Sequence, residues 1–186
     1  MTNIAYEDVV QFHGHSCPGV AIGYRMTLAG LAALEEVRAE DEELVAIIEN
    51  DACGVDALQY ISGCTFGKGN LIFRDYGKST YTIFSRSTGQ GVRITCCDDA
   101  VPARFRDDRA ARIDWILTAP EDMLLRVQMV TIDEPPKARI HESIPCDACG
   151  ERVMSTRIQH SGQRKLCIPC WEREQQAGVR GATDHR

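Results

Sequence analysis

Cys17-Pro18-Gly19-Val20-Ala21-Ile22-Gly23-Tyr24-Arg25-Met26-Thr27-Leu28-Ala29-Gly30-Leu31 decides the architecture. Proline is favoured at the first position of a helix, so Cys17 is placed at the N-cap. The spacing predicts one long helix over 18–37. Val20, Ile22, Tyr24, Met26, Leu28, Leu31 and Leu34 cover most of its circumference. A helix that is apolar nearly all round is a buried one. Gly23 and Gly30 are two turns apart, so they share a face on which another backbone can pack closely.

Outward from this helix the periodicity changes. Residues 5–12 read as a short helix. Leu44-Val45-Ala46-Ile47-Ile48 is an apolar run of strand length, and residues 54–61 read as a helix closed by Gly63. Leu71-Ile72-Phe73, Tyr81-Thr82-Ile83-Phe84 and Val92-Arg93-Ile94-Thr95 are β-branched or aromatic and bounded by Gly77, Gly89 and Gly91. Residues 107–117 predict a helix, 120–124 a helical start and 126–132 a strand. Helices and strands mix without a regular βαβ repeat, which makes the expected fold α+β.

The 186 residues suit one medium domain plus a small module. Charge divides the chain. Residues 1–133 carry 20 acidic and 12 basic side chains, a net of −8, whereas residues 134–186 carry 7 and 9, a net of +2. The change falls at Glu134-Pro135-Pro136-Lys137, where two prolines favour extended backbone. The expected organisation is a core domain at 1–133, a linker at 134–145, a four-cysteine finger at 146–174 and a flexible tail at 175–186. The overall net charge of −6 argues against a nucleic-acid binder. No apolar run reaches the ~20 residues that span a bilayer, so no membrane association is expected. The first residues lack the basic and apolar regions of a secretory leader. A cytoplasmic location follows. Nine cysteines in a reducing compartment read as metal ligands, reactive thiols or core residues rather than disulfides.

Cys146-x2-Cys149 and Cys167-x2-Cys170 are the strongest local signal. Each pair presents two thiolates from one turn, and the two pairs complete a tetrahedral zinc shell. Residues 153–158 and 163–166 are expected to form a hairpin around His160-Ser161-Gly162. A helix is expected to begin near Pro169, with Cys170 in its first turn. Knuckle, hairpin and helix start together resemble a treble-clef finger. Four thiolates leave no open position, so this zinc is structural, and a module this small needs the ion to fold. Arg152, Arg157, Arg164 and Lys165 make its hairpin basic.

Phe12-His13-Gly14-His15-Ser16-Cys17 places three metal-ligating side chains within five residues. Within a helix, His13 and His15 would point about 200° apart, so sharing an ion requires a turn, which Gly14 permits. At a helix N-cap, dipole and free N–H groups favour a thiolate at Cys17. A second cluster, Asp51-Ala52-Cys53-Gly54-Val55-Asp56, joins a predicted strand to a predicted helix, where ligands collect in α/β-type packing. The expected core centre uses His15, Cys17 and Cys53, with His13 as alternative ligand or outer support. Asp56 orients a ligand or acts as a base. Cys17, Cys53, Asp56 and His13 are thus the candidate catalytic groups. Mixed nitrogen and sulfur ligation suits zinc, nickel, iron or copper.

Cys64-Thr65-Phe66-Gly67-Lys68-Gly69-Asn70 looks like a phosphate loop but lacks its spacing and the Ser or Thr after the lysine, which excludes P-loop nucleotide hydrolysis. Lys68 and the local backbone remain candidates for holding an anionic cofactor group, with Cys64 beside them. Cys64 is a poor partner for Cys53, since an intervening helix separates them by about 15 Å.

His13-Gly14-His15-x-Cys17-Pro18-Gly19 with Gly23-Tyr24-Arg25-Met26 resembles the opening motif of the FmdE proteins, a family named for formylmethanofuran dehydrogenase. Asn50-Asp51-x-Cys53-x-x-Asp56-Ala57-x-Gln59, then Gly63-Cys64-Thr65-x-Gly67-Lys68-Gly69-Asn70-Leu71 and Asp75-Tyr76-Gly77-Lys78, are similar to its later blocks. The resemblance implies an α+β core, a C-terminal zinc finger, a homodimer and a metal-binding or active site at the His/Cys motif. It implies association with a molybdenum or tungsten oxidoreductase acting on formylmethanofuran. The chain is too short to hold a molybdopterin scaffold as well, so an accessory role is implied. A partner-binding zinc-finger protein and a carrier delivering metal or sulfur, neither catalytic itself, are the competing readings.

Overall fold

The computed structural model describes residues 4–105 and 107–182. The chain forms two compact units that divide between Ala138 and Arg139, inside the stretch expected as a linker.

The first unit is built around helix α2 (Pro18–Ala33), preceded by α1 (Tyr6–His13). Strand β1 (Leu44–Ile48) leads into α3 (Gly54–Ser62). Strands β2 (Leu71–Phe73), β3 (Thr80–Ser85) and β4 (Gly91–Cys96) follow, then α4 (Arg109–Thr118), the single turn α5 (Glu121–Leu124) and β5 (Leu125–Val130). The sheet order is β2-β1-β3-β4-β5. β1 and β2 run parallel and every other neighbour is antiparallel. Ala46 is opposite Ile83, and Tyr81 and Val127 flank Ile94 on either side. These side chains meet Met26, Leu31, Leu58 and Ile61 in one continuous core under α2 and α3. The fold is therefore α+β.

α2 ends earlier than the hydrophobic pattern predicts. Glu35 adopts φ 55°, its N–H donates to Ala32 O at 3.1 Å, and the Glu36 N–H reaches back to Leu31 O at 2.9 Å. This is a Schellman ending made by a non-glycine residue. All five residues of β1 are buried, as an unbroken apolar run requires when both faces of a sheet are covered. The second face is flanked by the chain after β5. There Arg86 donates to Glu42 O (2.9 Å), Glu134 Oε1 (2.7 Å) and Pro135 O (2.8 Å), holding residues 134–136 against the rest of the first unit.

Gly23 is where α2 and α3 touch. A Cβ on it would stand 2.2 Å from Gly54 O, so the two backbones meet directly. The second glycine on that face, Gly30, meets the Ile83 and Ile94 side chains of the sheet instead. A Cβ on Gly54 would lie 2.6 Å from the Tyr81 hydroxyl and 2.8 Å from Gly19 O. The N-terminus of α3 is thereby pressed against the first turn of α2.

The second unit contains β6 (Ser143–Pro145) paired with β7 (Arg152–Met154), β8 (Ile158–Ser161) paired with β9 (Arg164–Cys167), and α6 (Ile168–Ala182). Val153, expected in the hairpin with residues 163–166, pairs with Ile144 instead, so that β6 and β7 bracket the first cysteine turn. Residues 175–182, expected as a tail, continue α6, and 183–186 lie outside the described residues. Knuckle, hairpin and helix make a small treble-clef-like four-cysteine finger. Among the described residues no helix is long and apolar enough to cross a membrane.

Candidate metal centre

The His/Cys motif occupies the joint between two helices. His13 is the last residue of α1, and Gly14 follows at φ 96°, a left-handed conformation that ends the helix. Three residues later Cys17 caps α2, its sulfur accepting from Val20 N at 3.4 Å. Reversing the chain this way brings the two imidazoles together, with ring centroids 4.6 Å apart. One ligand atom each from His13, His15 and Cys17 lies within 4.8 Å of the others. His15 is exposed, His13 half-buried and Cys17 buried, so the group opens to the surface on one side.

Asp56, on the first turn of α3, sets the orientation of His13. Its Oδ2 lies 2.7 Å from His13 Nδ1. A carboxylate only accepts, so Nδ1 carries the proton and Nε2 keeps its lone pair. His13 Nε2 is buried and has no hydrogen-bond partner. A buried acceptor without a partner is costly, and an ion held with His15 and Cys17 satisfies it. The donor set thus fits a metal, with a carboxylate–histidine pair behind the first ligand.

Cys53 stands at the N-terminus of α3 and is exposed. Gly19 packs between the two cysteines, its Cβ position 3.2 Å from Cys53 Cβ and 3.8 Å from Cys17 Sγ. Partial burial and then a hydrogen bond with Cys17 hold the Cys53 thiol above its ordinary range. Cys53 is therefore a neighbour of the trio rather than a member, and His13 occupies the third place.

The other expected cofactor contacts lie apart from this group. Lys68 Nζ donates to the Glu40 and Asp41 carbonyls at 3.2 and 3.1 Å, so its ammonium is engaged in holding residues 40–41. Cys64 is wholly buried beyond the far end of α3, and desolvation pushes its thiol up to about 11. An anion cradle at this loop is not what the side chains form. Two contacts around the motif come from outside it. Tyr6 and Ser16 share a hydroxyl hydrogen bond of 2.9 Å, and Arg109 Nη2 donates to Ser16 O at 2.5 Å. Neither spacing nor periodicity could have signalled the Arg109 contact.

In the finger, ligand atoms of Cys146, Cys149, Cys167 and Cys170 also lie within 4.8 Å of one another. The N–H groups of Cys167 and Cys149 pull the Cys146 thiol down to about 6, toward the thiolate a metal needs. Arg173 Nη2 lies 2.9 Å from Cys170 Sγ, a further positive partner for sulfur charge.

Residues 12–126 match the family described as FmdE, molybdenum formylmethanofuran dehydrogenase operon. A crystal structure of an FmdE-like protein of a tungsten formylmethanofuran dehydrogenase, from Syntrophus aciditrophicus, superposes with a TM-score of 0.69 and 27% identity, covering 91% of this chain and 93% of that one. A protein of Archaeoglobus fulgidus named as a probable S-adenosyl-L-methionine-binding protein is 30% identical over 86% of this chain. The chain spans only 50% of that relative's length. The family match includes every residue of the core centre from His13 to Asp56 and most of the sheet, and on it the chain belongs to the FmdE family.

Proposed function

We propose that the chain is a metal-binding FmdE protein whose core centre is held by His13, His15 and Cys17, while its finger carries a structural zinc. One observation carries the reading: three ligand atoms converge within 4.8 Å, and one of the three residues presents a buried nitrogen that nothing else satisfies. Three protein ligands leave a fourth position in a tetrahedral shell for water or substrate. Zinc, nickel, iron or copper suits the mixed donors. When bound, the ion supplies Lewis-acid polarisation at that position. Asp56 keeps the His13 tautomer and ring orientation, and Cys53 stands next to Cys17 at the edge of the open side.

Within this reading the protein works in a reducing cytoplasm, as a homodimer, and serves as an accessory component of a molybdenum or tungsten oxidoreductase. The operon in the family's description supports that association. A role in sulfur or metal delivery is weaker, because transfer needs a thiolate and the Cys53 thiol is raised, not lowered. S-adenosyl-L-methionine, from the Archaeoglobus relative's name, is the weaker ligand. Among the described residues no lysine or arginine lines the cavity beside His13 to receive its carboxylate.

X-ray absorption at the edge of each metal in the purified full chain tests the proposal. A mixed nitrogen and sulfur shell beside the all-sulfur shell of the finger is expected. Sulfur ligation alone overturns it.

A further inference from the structure

A cavity of about 390 Å³ opens beside the core centre, inside the range of small-molecule sites. One wall is polar: His13, Cys53 and Asp56. The opposite wall is apolar and built from Ile48, Leu71, Phe66 and Phe73. Two of its aromatic rings are poorly buried, Phe66 at 78% and Phe73 at 45% exposure. Large apolar side chains left in water beside a polar cluster mark a place where something binds.

The charges on this cavity select its occupant. Asp51 and Asp56 line it, and among the described residues no basic side chain does. The nearby Lys68 is held by two backbone carbonyls. A phosphorylated or carboxylated body would meet like charge with no counter-ion. A flat apolar ring fits between Leu71 and the two phenylalanines, where it covers them from water. At the polar end, the unsatisfied Nε2 of His13 belongs to the group that accepts a metal, so a lone-pair atom is the matching head.

We propose that this cavity binds an uncharged organic molecule with a flat apolar ring and a lone-pair head, the ring against Leu71, Phe66 and Phe73 and the head toward His13. The head rests on the metal reading above, whereas the ring pocket does not depend on it.

The test uses 4-phenylimidazole, imidazole and benzoate as probes on the full chain. In the cobalt-substituted protein, visible absorption should report 4-phenylimidazole binding at least about ten-fold tighter than imidazole, a difference of about 1.4 kcal/mol. Phe66→Ala with Phe73→Ala should remove that advantage. Both side chains are exposed, so metal content and circular dichroism should stay unchanged. Saturation-transfer NMR on metal-free protein should still detect the phenyl protons, and weaken in the same double variant. Equal affinity for the two imidazoles, an advantage that survives the double variant, or tighter binding of benzoate overturns the proposal. Failure to hold cobalt at the core overturns the metal reading instead, and the metal-free NMR result then decides the ring pocket alone.

Discussion

His13 Nδ1 and Asp56 Oδ2 lie 2.7 Å apart although 43 residues separate them in the chain. The contact ties the end of α1 to the first turn of α3, and through it the tertiary fold dictates which nitrogen of His13 is free.

Replacing Asp56 by Asn keeps the shape and removes the charge. Groups in this supporting position typically contribute 10–100-fold in metal affinity, so Asp56→Asn should weaken the core site by roughly that factor. Competition against a chelator, read for the core and the finger separately, measures it. Affinity equal to that of the parent protein would mean that Asp56 does not orient His13.

The α2–α3 crossing depends on Gly23. A methyl group there meets the Gly54 carbonyl at 2.2 Å, and backbone cannot rotate away as a side chain can. Gly23→Ala should cost about 3 kcal/mol or more of stability, seen as a fall in the denaturant midpoint. Gly67→Ala, where a Cβ meets nothing within 4 Å, is the control and should be nearly silent.

Arg25 lies in the motif Gly23-Tyr24-Arg25-Met26 but does not face the metal group. Its guanidinium donates to Ile116 O (2.8 Å), Leu117 O (2.9 Å) and Ala119 O (2.8 Å), finishing the C-terminus of α4. Arg25→Ala should destabilise by about 2 kcal/mol. Arg25→Lys should recover only part of this, because an ammonium cannot fork across three carbonyls. Thermal unfolding at fixed metal occupancy separates the two variants.

Glu49 gives the sheet an acid-sensitive contact. It is 5% exposed and pairs with Arg93 at 2.5 and 3.1 Å. The Arg93 hydrogen bonds hold its carboxyl below the usual range. A lowered folded pKa means the contribution is complete above the unfolded value of about 4.5 and is lost as pH falls through the folded one. Stability should therefore drop below about pH 4.5. Glu49→Gln should lose stability at pH 7 and flatten that acid limb. An acid limb unchanged in the variant assigns it to other carboxylates.

Much of this is legible in residue order. The all-round apolar pattern of α2, the unbroken β1 run and the paired Cys-x2-Cys spacings are local signals, and the fold and the finger follow from them. The end of α2 at Glu35 is not legible, because a charged residue supplies the left-handed turn that glycine usually marks. The place of Val153 escapes sequence reasoning because three-residue strands carry too little alternation to choose a partner. The core motif is visible as three ligands in five residues. Whether His13 or Cys53 completes it rests on Asp56 and on the Gly19 contact, both tertiary. The loop at Lys68 misleads for the opposite reason. Its glycines and lysine look free in one dimension, and the lysine is bound to carbonyls in three.

The central claim is that the chain holds a second ion at His13, His15 and Cys17. Metal analysis per chain of the parent protein and of the His15→Ala, Cys17→Ala double variant tests it most directly. The account predicts two ions in the parent, one for each ligand group, and one in the variant. A parent with a single ion that the variant keeps in full would contradict it.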